Sequence, residues 1–104
     1  MMSPFPILVL ASQLMTVAAE DVPVFDIARG CKGEGDTVES VERCTRDEKS
    51  ARDQLQSEWS QFGSTAKSAC TQETSIDGTP SYVELLTCLE MARDAKKLER
   101  PPSK

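Results

Sequence analysis

The 104-residue chain contains no histidine and no asparagine, and its aromatic residues are one tryptophan, one tyrosine and three phenylalanines. Without histidine, no Ser-His or Cys-His nucleophile and no metal site with an imidazole ligand can form. Without asparagine, the chain has no acceptor for N-linked glycosylation. It also lacks a glycine-rich phosphate loop and any interleaving of basic with aromatic residues. We therefore predict no catalytic residue, no metal site and no cofactor.

Charge is absent from residues 1–19, which contain no Asp, Glu, Lys or Arg. An apolar run there leads to small residues that end at Ala19, just before Glu20, an arrangement typical of a signal peptide. The alternative is an uncleaved anchor. A spanning helix needs about 20 mainly apolar residues, whereas Pro6, Ser12 and Gln13 interrupt a run that is already short. We predict cleavage after Ala19, a periplasmic or secreted protein, and no stable membrane insertion after cleavage.

All four cysteines follow the predicted cleavage site: Cys31, Cys44, Cys70 and Cys88. An even number of cysteines in a short exported chain indicates a disulfide framework. A four-thiolate zinc site is the alternative, but structural zinc sites usually bring their ligands in close pairs, whereas 12, 25 and 17 residues separate these cysteines. We predict two disulfides, which a domain this short needs because it buries little surface on folding.

Hydrophobic periodicity predicts a long first helix that begins at Asp36, with Glu39 completing a capping arrangement, and that is stopped by Gly63. One face repeats at steps of three and four, the pattern of an amphipathic helix. Its members are Val38, Val41, Cys44, Glu48, Ala51, Leu55, Trp59 and Phe62. Glu48 is the charged residue on this face, and we expect an arginine or the backbone to satisfy it in a structural role.

Two further helices follow. The first starts with Ser64 as its cap and runs to about Thr71; the second runs from Pro80 to about Leu98, with Thr79 as its cap. The predicted domains are a signal peptide at 1–19, an extended arm at 20–35, a helical domain at 36–98 and a disordered tail at 99–104. The fold class is all-α, a small helical hairpin or three-helix domain.

Helix geometry favours one disulfide pairing of the three that four cysteines allow. If the two long helices are antiparallel, Cys88 lies about 12 Å along its helix and Cys44 about 27 Å along the other, at 1.5 Å per residue. Bridged Cα atoms lie within about 7 Å, so a Cys44–Cys88 bond is disfavoured. Cys70, on a short helix that turns back from Gly63, can lie level with Cys88, which leaves Cys31 to tie the arm to Cys44. We predict Cys31–Cys44 and Cys70–Cys88.

The mature part carries 17 acidic and 12 basic residues, a net charge of −5. This charge argues against nucleic acid and anionic membranes as partners, because both require clustered Lys and Arg. It suits a basic partner, although acidity also serves solubility. Asp47, Glu48 and Asp53 leave a paired-carboxylate enzyme formally open, but basic residues at ion-pair spacing separate them, which indicates a solvated charged face.

We predict that two aromatic residues lie in the core and that one lies at the surface. Trp59 and Phe62 share the apolar face of the first helix, so we expect them in the core rather than as an anchor for a partner. Tyr82 is expected to pack its ring on Trp59 and to turn its hydroxyl toward water. The polar loop before the third helix, with Asp77 and Gly78 in a turn, is the predicted partner surface together with Tyr82.

Several segments resemble a group of uncharacterised short exported bacterial proteins, above all PSYVELLTCLEMA at 80–92, together with CTRDE at 44–48, ARDQL at 51–55 and WSQF at 59–62. The order of two cysteines, a central tryptophan, a third cysteine and a late Cys-Leu before a charged helix distantly resembles the lysozyme-inhibitor LprI-like family of periplasmic helical domains. That resemblance implies a bacterial periplasmic or secreted binding protein that acts on a basic muramidase.

The sequence as a whole predicts a non-enzymatic, exported helical binding module of the bacterial envelope. Its expected partner is an envelope or extracellular protein, and a basic one suits the charge; pairing with a second copy through the last helix is the other arrangement that so small a domain allows. Two alternative functions remain open at this point. One is inhibition of a lysozyme, and the other is a structural or stress-tolerance role without a discrete ligand.

Overall fold

A computed structural model describes residues 21–33, 35 and 37–99. The predicted signal peptide lies outside these residues, and so does the predicted tail except for Glu99. The part of the chain that is described contains helices and no strand, so the predicted all-α class is confirmed. Its elements are α1 (Ile27–Lys32), α2 (Val38–Glu58), a 3₁₀ turn (Trp59–Gln61), α3 (Ser64–Thr74) and α4 (Tyr82–Glu99).

Helix α1 corrects the prediction of an extended arm at 20–35, because Ile27–Lys32 within that range are helical. Asp26 caps the helix, its Oδ1 atom accepting a hydrogen bond from the backbone N–H of Arg29 at 3.1 Å. A helix of six residues is not stable alone. It is held because Cys31 is buried and bonded to Cys44 of α2, a tertiary constraint that periodicity does not reveal.

Helix α2 begins at Val38, two residues after the predicted start at Asp36. Thr37 is its cap, and the threonine hydroxyl accepts a hydrogen bond from the backbone N–H of Ser40 at 3.0 Å. The predicted cap, Asp36, lies outside the described residues. At its other end α2 passes into the 3₁₀ turn, and Gly63 then separates it from α3 as expected.

The core forms where α2, α3 and α4 meet. Leu55, Leu85 and Leu89 are fully buried, and burying a leucine side chain stabilises a fold by about 2 kcal/mol. The whole buried cluster consists of Ala51, Leu55, Phe62, Cys70, Tyr82, Leu85 and Leu89. Phe62 belongs to this cluster and Trp59 packs against it half-buried, so the structure places both aromatic side chains with the core.

Contacts between α2 and α4 show that these helices run parallel. The antiparallel arrangement on which the disulfide prediction is based is therefore wrong. Glu48 contacts Tyr82, and ten residues later along α2 Glu58 contacts Arg93 at 3.2 Å. The chain returns between them through α3, which extends to Thr74 rather than to the predicted Thr71. This longer helix spans about 16 Å, enough to bring the chain back toward the middle of α2.

Both predicted disulfides are confirmed, Cys31–Cys44 and Cys70–Cys88, with Cα atoms 5.5 and 5.7 Å apart. The excluded Cys44–Cys88 pairing is also impossible for parallel helices. Cys44 precedes Glu48 by one turn and Cys88 follows Tyr82 by six residues, an offset of about 15 Å along the axes. The first bond ties α1 to α2 and the second ties α3 to α4, each stabilising the domain by about 3 kcal/mol in the chain-entropy model.

Candidate functional site

Glu48 lies at the centre of the site, in the middle of α2 and only 8% exposed. Its Oε1 atom accepts a hydrogen bond from the backbone N–H of Tyr82 at 2.7 Å, and its Oε2 atom accepts bonds from the hydroxyl of Ser81 and the N–H of Val83. These N–H groups belong to the first turn of α4, where a helix has unpaired donors and positive potential. The backbone therefore satisfies Glu48, one of the two arrangements that the sequence predicted.

Ser81 caps α4, which begins at Tyr82; this corrects the prediction of a helix from Pro80 capped by Thr79. The Ser81 hydroxyl accepts a hydrogen bond from the N–H of Glu84 at 3.2 Å, and its carbonyl accepts one from Leu85 at 3.0 Å. The sequence carried a signal for this cap. Ser81 and Glu84 have the S-x-x-E spacing of a capping box, a signal that the prediction from Thr79 and Pro80 does not use.

Thr74 joins the end of α3 to the start of α4. Its side chain is buried, it accepts a hydrogen bond from the N–H of Ser81 at 3.0 Å, and it donates one to Glu84 at 2.9 Å. Periodicity gave no indication of this role, since the threonine lies in a polar stretch. The result is a fixed junction that holds Glu84, which lines the same cleft as Glu48.

The turn between α3 and α4 contains Asp77 and Gly78, both exposed. Asp77 accepts hydrogen bonds from the N–H and the hydroxyl of Thr79, each at 3.0 Å. The bond from the Thr79 backbone, followed by that from its side chain, holds the pKa of Asp77 below its usual value. Gly78 has φ 85°, a left-handed conformation that favours glycine. This turn therefore presents an ionised carboxylate to solvent.

Tyr82 does not belong to the exposed surface where the sequence analysis placed it. The side chain is 2% exposed, and its ring lies 4.6 Å from that of Phe25, not on Trp59. Its hydroxyl donates to the carbonyl of Pro23 at 2.9 Å and accepts from the N–H of Phe25 at 2.8 Å. The N-terminal segment covers Tyr82, and a local pattern cannot predict a contact made nearly 60 residues away.

These elements enclose a cleft of about 450 Å³ between α1, α2, the Asp77 turn and the start of α4. We call it the acidic cleft. The acidic residues that line it are Asp26, Asp47, Glu48, Asp77 and Glu84. Arg43 is the single basic side chain among the described residues of its lining.

Of the three carboxylates considered as an enzyme site, Asp47 and Glu48 line the acidic cleft and Asp53 does not. Asp53 is exposed and lies 3.6 Å from the guanidinium of Arg52. Among residues 21–33, 35 and 37–99, no group of three or more cysteines and carboxylates is placed to hold a metal ion. The cleft therefore has a negative potential. Glu48, the carboxylate at its centre, is already hydrogen-bonded to the start of α4.

Comparisons of this chain with protein-family models, curated proteins and solved structures found no match. The resemblances described from the sequence therefore stay predictions. None of the helices within the described part of the chain is long and apolar enough to cross a membrane.

Proposed function

We propose that this protein is an exported, non-enzymatic helical binding module that holds a basic surface segment of an envelope or extracellular protein in its acidic cleft. The observation that carries this proposal is the composition of the cleft, five carboxylates against one guanidinium. Opposite charges across an interface raise association rates and exclude like-charged partners. A lysine- or arginine-rich segment is the partner that this surface would recognise.

The fixed geometry of the carboxylates supports binding rather than catalysis. Both oxygens of Glu48 accept hydrogen bonds from the start of α4, and Asp77 is held by Thr79. A general acid or base must be free to exchange its proton with a substrate, whereas an ion-pairing group benefits from being held in place before the partner arrives. The acidic cleft has the second property.

Export is supported by the two disulfides, because such bonds form and persist mainly in oxidising compartments. The predicted signal peptide at 1–19 adds to this argument. Intact mass of the protein recovered from the envelope or the medium tests it directly. We expect a chain that starts at Glu20 and has four thiols that are alkylated only after reduction; a full-length chain with free thiols would contradict export.

The binding proposal is tested by charge reversal at two matched positions. Asp47 is an exposed residue of the acidic cleft, and Asp94 is an exposed residue of α4 outside it. Asp47→Lys and Asp94→Lys change the net charge equally. Immobilised wild type, Asp47→Lys and Asp94→Lys are exposed to the same envelope extract, and captured proteins are quantified by mass spectrometry.

We expect a basic protein that is retained by wild type and Asp94→Lys and reduced by about ten-fold on Asp47→Lys, because one attractive charge is replaced by a repulsive one. Its affinity should fall with added salt. Equal capture by all three proteins would refute the acidic cleft as the binding surface. No saturable binding at all would favour the structural or stress-tolerance alternative.

Lysozyme inhibition is the more specific alternative, favoured by the distant resemblance to the lysozyme-inhibitor family and by the acidity of the cleft. It predicts that stoichiometric mature protein lowers the activity of a basic muramidase, and that Asp47→Lys abolishes this effect while Asp94→Lys does not. Unchanged muramidase activity with excess wild-type protein would remove the alternative without affecting the more general binding proposal.

A further inference from the structure

The Cys70–Cys88 disulfide lies in a groove between α3 and α4 that adjoins the acidic cleft, since Val83 and Glu84 line both. The groove is about 410 Å³ in volume, and we call it the disulfide groove. The two bonded cysteines differ in exposure: Cys70 is 3% exposed, whereas Cys88 is half-buried. Disulfide exchange requires a thiolate to reach one sulfur atom directly. Cys88 is therefore the side of this bond that an external thiol can approach.

A carboxylate lies next to that sulfur. The Oε1 atom of Glu73 is 3.5 Å from the Sγ atom of Cys88. This contact is not a hydrogen bond, because a sulfur in a disulfide carries no proton. Glu84 also lines the disulfide groove, and the described lining contains no lysine or arginine. An approaching thiol thus meets negative charge that no basic lining residue offsets.

We infer that Cys88 is the site at which external thiols open the Cys70–Cys88 disulfide, and that Glu73 and Glu84 make this site react faster with cationic thiols than with anionic ones. The bond is a modification site with a charge preference; Cys70, Cys88 and Glu73 lie outside the acidic cleft, whereas Glu84 lines both.

The reaction is an ordinary exchange in two steps. The sulfur of an external thiolate bonds to Sγ of Cys88, the Cys70–Cys88 bond breaks, and Cys70 leaves as a thiolate that takes a proton from water. A second external thiolate attacks the external sulfur of the mixed disulfide and releases Cys88 as a thiolate. The protein gains two electrons, and the two external thiols are oxidised to one disulfide.

The size of the charge effect follows from Coulomb's law. Two unit charges about 4 Å apart in water interact strongly enough to change a rate by about five-fold. The charge on a small thiol lies somewhat further from Glu73, so we expect the substitution Glu73→Gln to change the relative rates of cationic and anionic thiols by about three-fold. The difference should shrink at about 0.5 M salt because ions screen it.

The experiment compares wild type, Glu73→Gln and Asp94→Asn, which remove one charge each. Asp94 lies on α4 outside the disulfide groove. Each folded protein is treated with cysteamine, which is cationic, or 2-mercaptoethanesulfonate, which is anionic, and rates are divided by the thiolate concentration. Quenching with iodoacetamide and cleavage after glutamate, which separates Cys70 from Cys88 at Glu84, give the rate and the position of attack.

We expect the first mixed disulfide to form on Cys88 and wild type to react faster with cysteamine than with 2-mercaptoethanesulfonate. The ratio of these two rates should fall about three-fold in Glu73→Gln and should not change in Asp94→Asn. The Cys31–Cys44 bond is an internal control, and its rates should be the same in wild type and Glu73→Gln. A mixed disulfide on Cys70 would overturn the inference. An unchanged thiol preference in Glu73→Gln, or an equal change in Asp94→Asn, would also overturn it.

Discussion

The carboxylate of Glu48 caps a helix to which it does not belong, accepting a hydrogen bond from the N–H of Tyr82, 34 residues further along the chain. A second bond comes from the N–H of Val83. Through these bonds the middle of α2 fixes the start of α4, and the two helices run parallel from that point. The acidic cleft has its shape because this capping contact holds together α2 and the start of α4, which both line it.

Replacing Glu48 with alanine is expected to destabilise the domain by about 2–3 kcal/mol, because buried N–H groups of α4 lose an ionised acceptor. The measurement is urea unfolding with the disulfides intact. Asp47→Ala is the matched control, since Asp47 is the exposed neighbour on α2, and it should change stability by less than about 0.5 kcal/mol. Equal unfolding midpoints for the two variants would contradict the capping role.

Replacing Tyr82 with phenylalanine keeps the ring and removes the hydroxyl that joins α4 to Pro23 and Phe25. We expect a loss of about 1–2 kcal/mol, because two backbone groups lose their partner. Hydrogen exchange measures where in the chain the stability is lost. Relative to wild type, the variant should show a larger increase in the exchange rate of the Phe25 amide than of amides in the middle of α2. If protection falls uniformly along the chain, the hydroxyl does not hold the N-terminal segment in place.

Asp77 should give the turn before α4 a dependence on acid pH. Its pKa is lowered from the ordinary value of 3.8 by hydrogen bonds from Thr79. A lowered folded-state pKa means that its stabilising contribution is present above 3.8 and is lost as the pH falls through the lower folded-state value. The Thr79 amide resonance should therefore titrate with a midpoint below 3.8, and the titration should be absent in Asp77→Asn. A midpoint at or above 3.8 would contradict the assignment.

Gly63 precedes α3 at the cap position, and no side chain there accepts a hydrogen bond from the helix. Its φ of −73° suits any residue, and a Cβ atom would meet nothing within 4 Å. Gly63→Ser should therefore supply the missing cap and stabilise the domain by a few tenths of a kcal/mol. The control is Gly63→Ala, which adds the Cβ atom without an acceptor and should not stabilise. Thermal unfolding of the two variants distinguishes capping from the loss of glycine flexibility.

Whether a residue's place in the core or the site could be predicted from the sequence depends on how far along the chain its partners lie. The apolar face that contains Leu55 and Phe62 was evident in the sequence because helical periodicity needs only neighbours three and four residues apart. The Asp77–Gly78 turn was evident for the same reason. The covering of Tyr82 by Pro23 and Phe25 was not evident, because nothing in the short apolar segment before α1 indicates which side chain it will cover.

The sequence by itself determined the all-α class and the approximate helices, and it predicted the disulfide pairing correctly because helix rise disfavours Cys44–Cys88 and the helix after Gly63 can bring Cys70 level with Cys88. Tertiary structure decided the direction of α4 relative to α2, the helix at Ile27–Lys32 and the partners of Glu48. The physical reason is that propensity and periodicity act within a few residues, whereas these features depend on contacts and bonds formed only when distant segments pack. The acidic cleft belongs to the second group, because its carboxylates come from four separate elements.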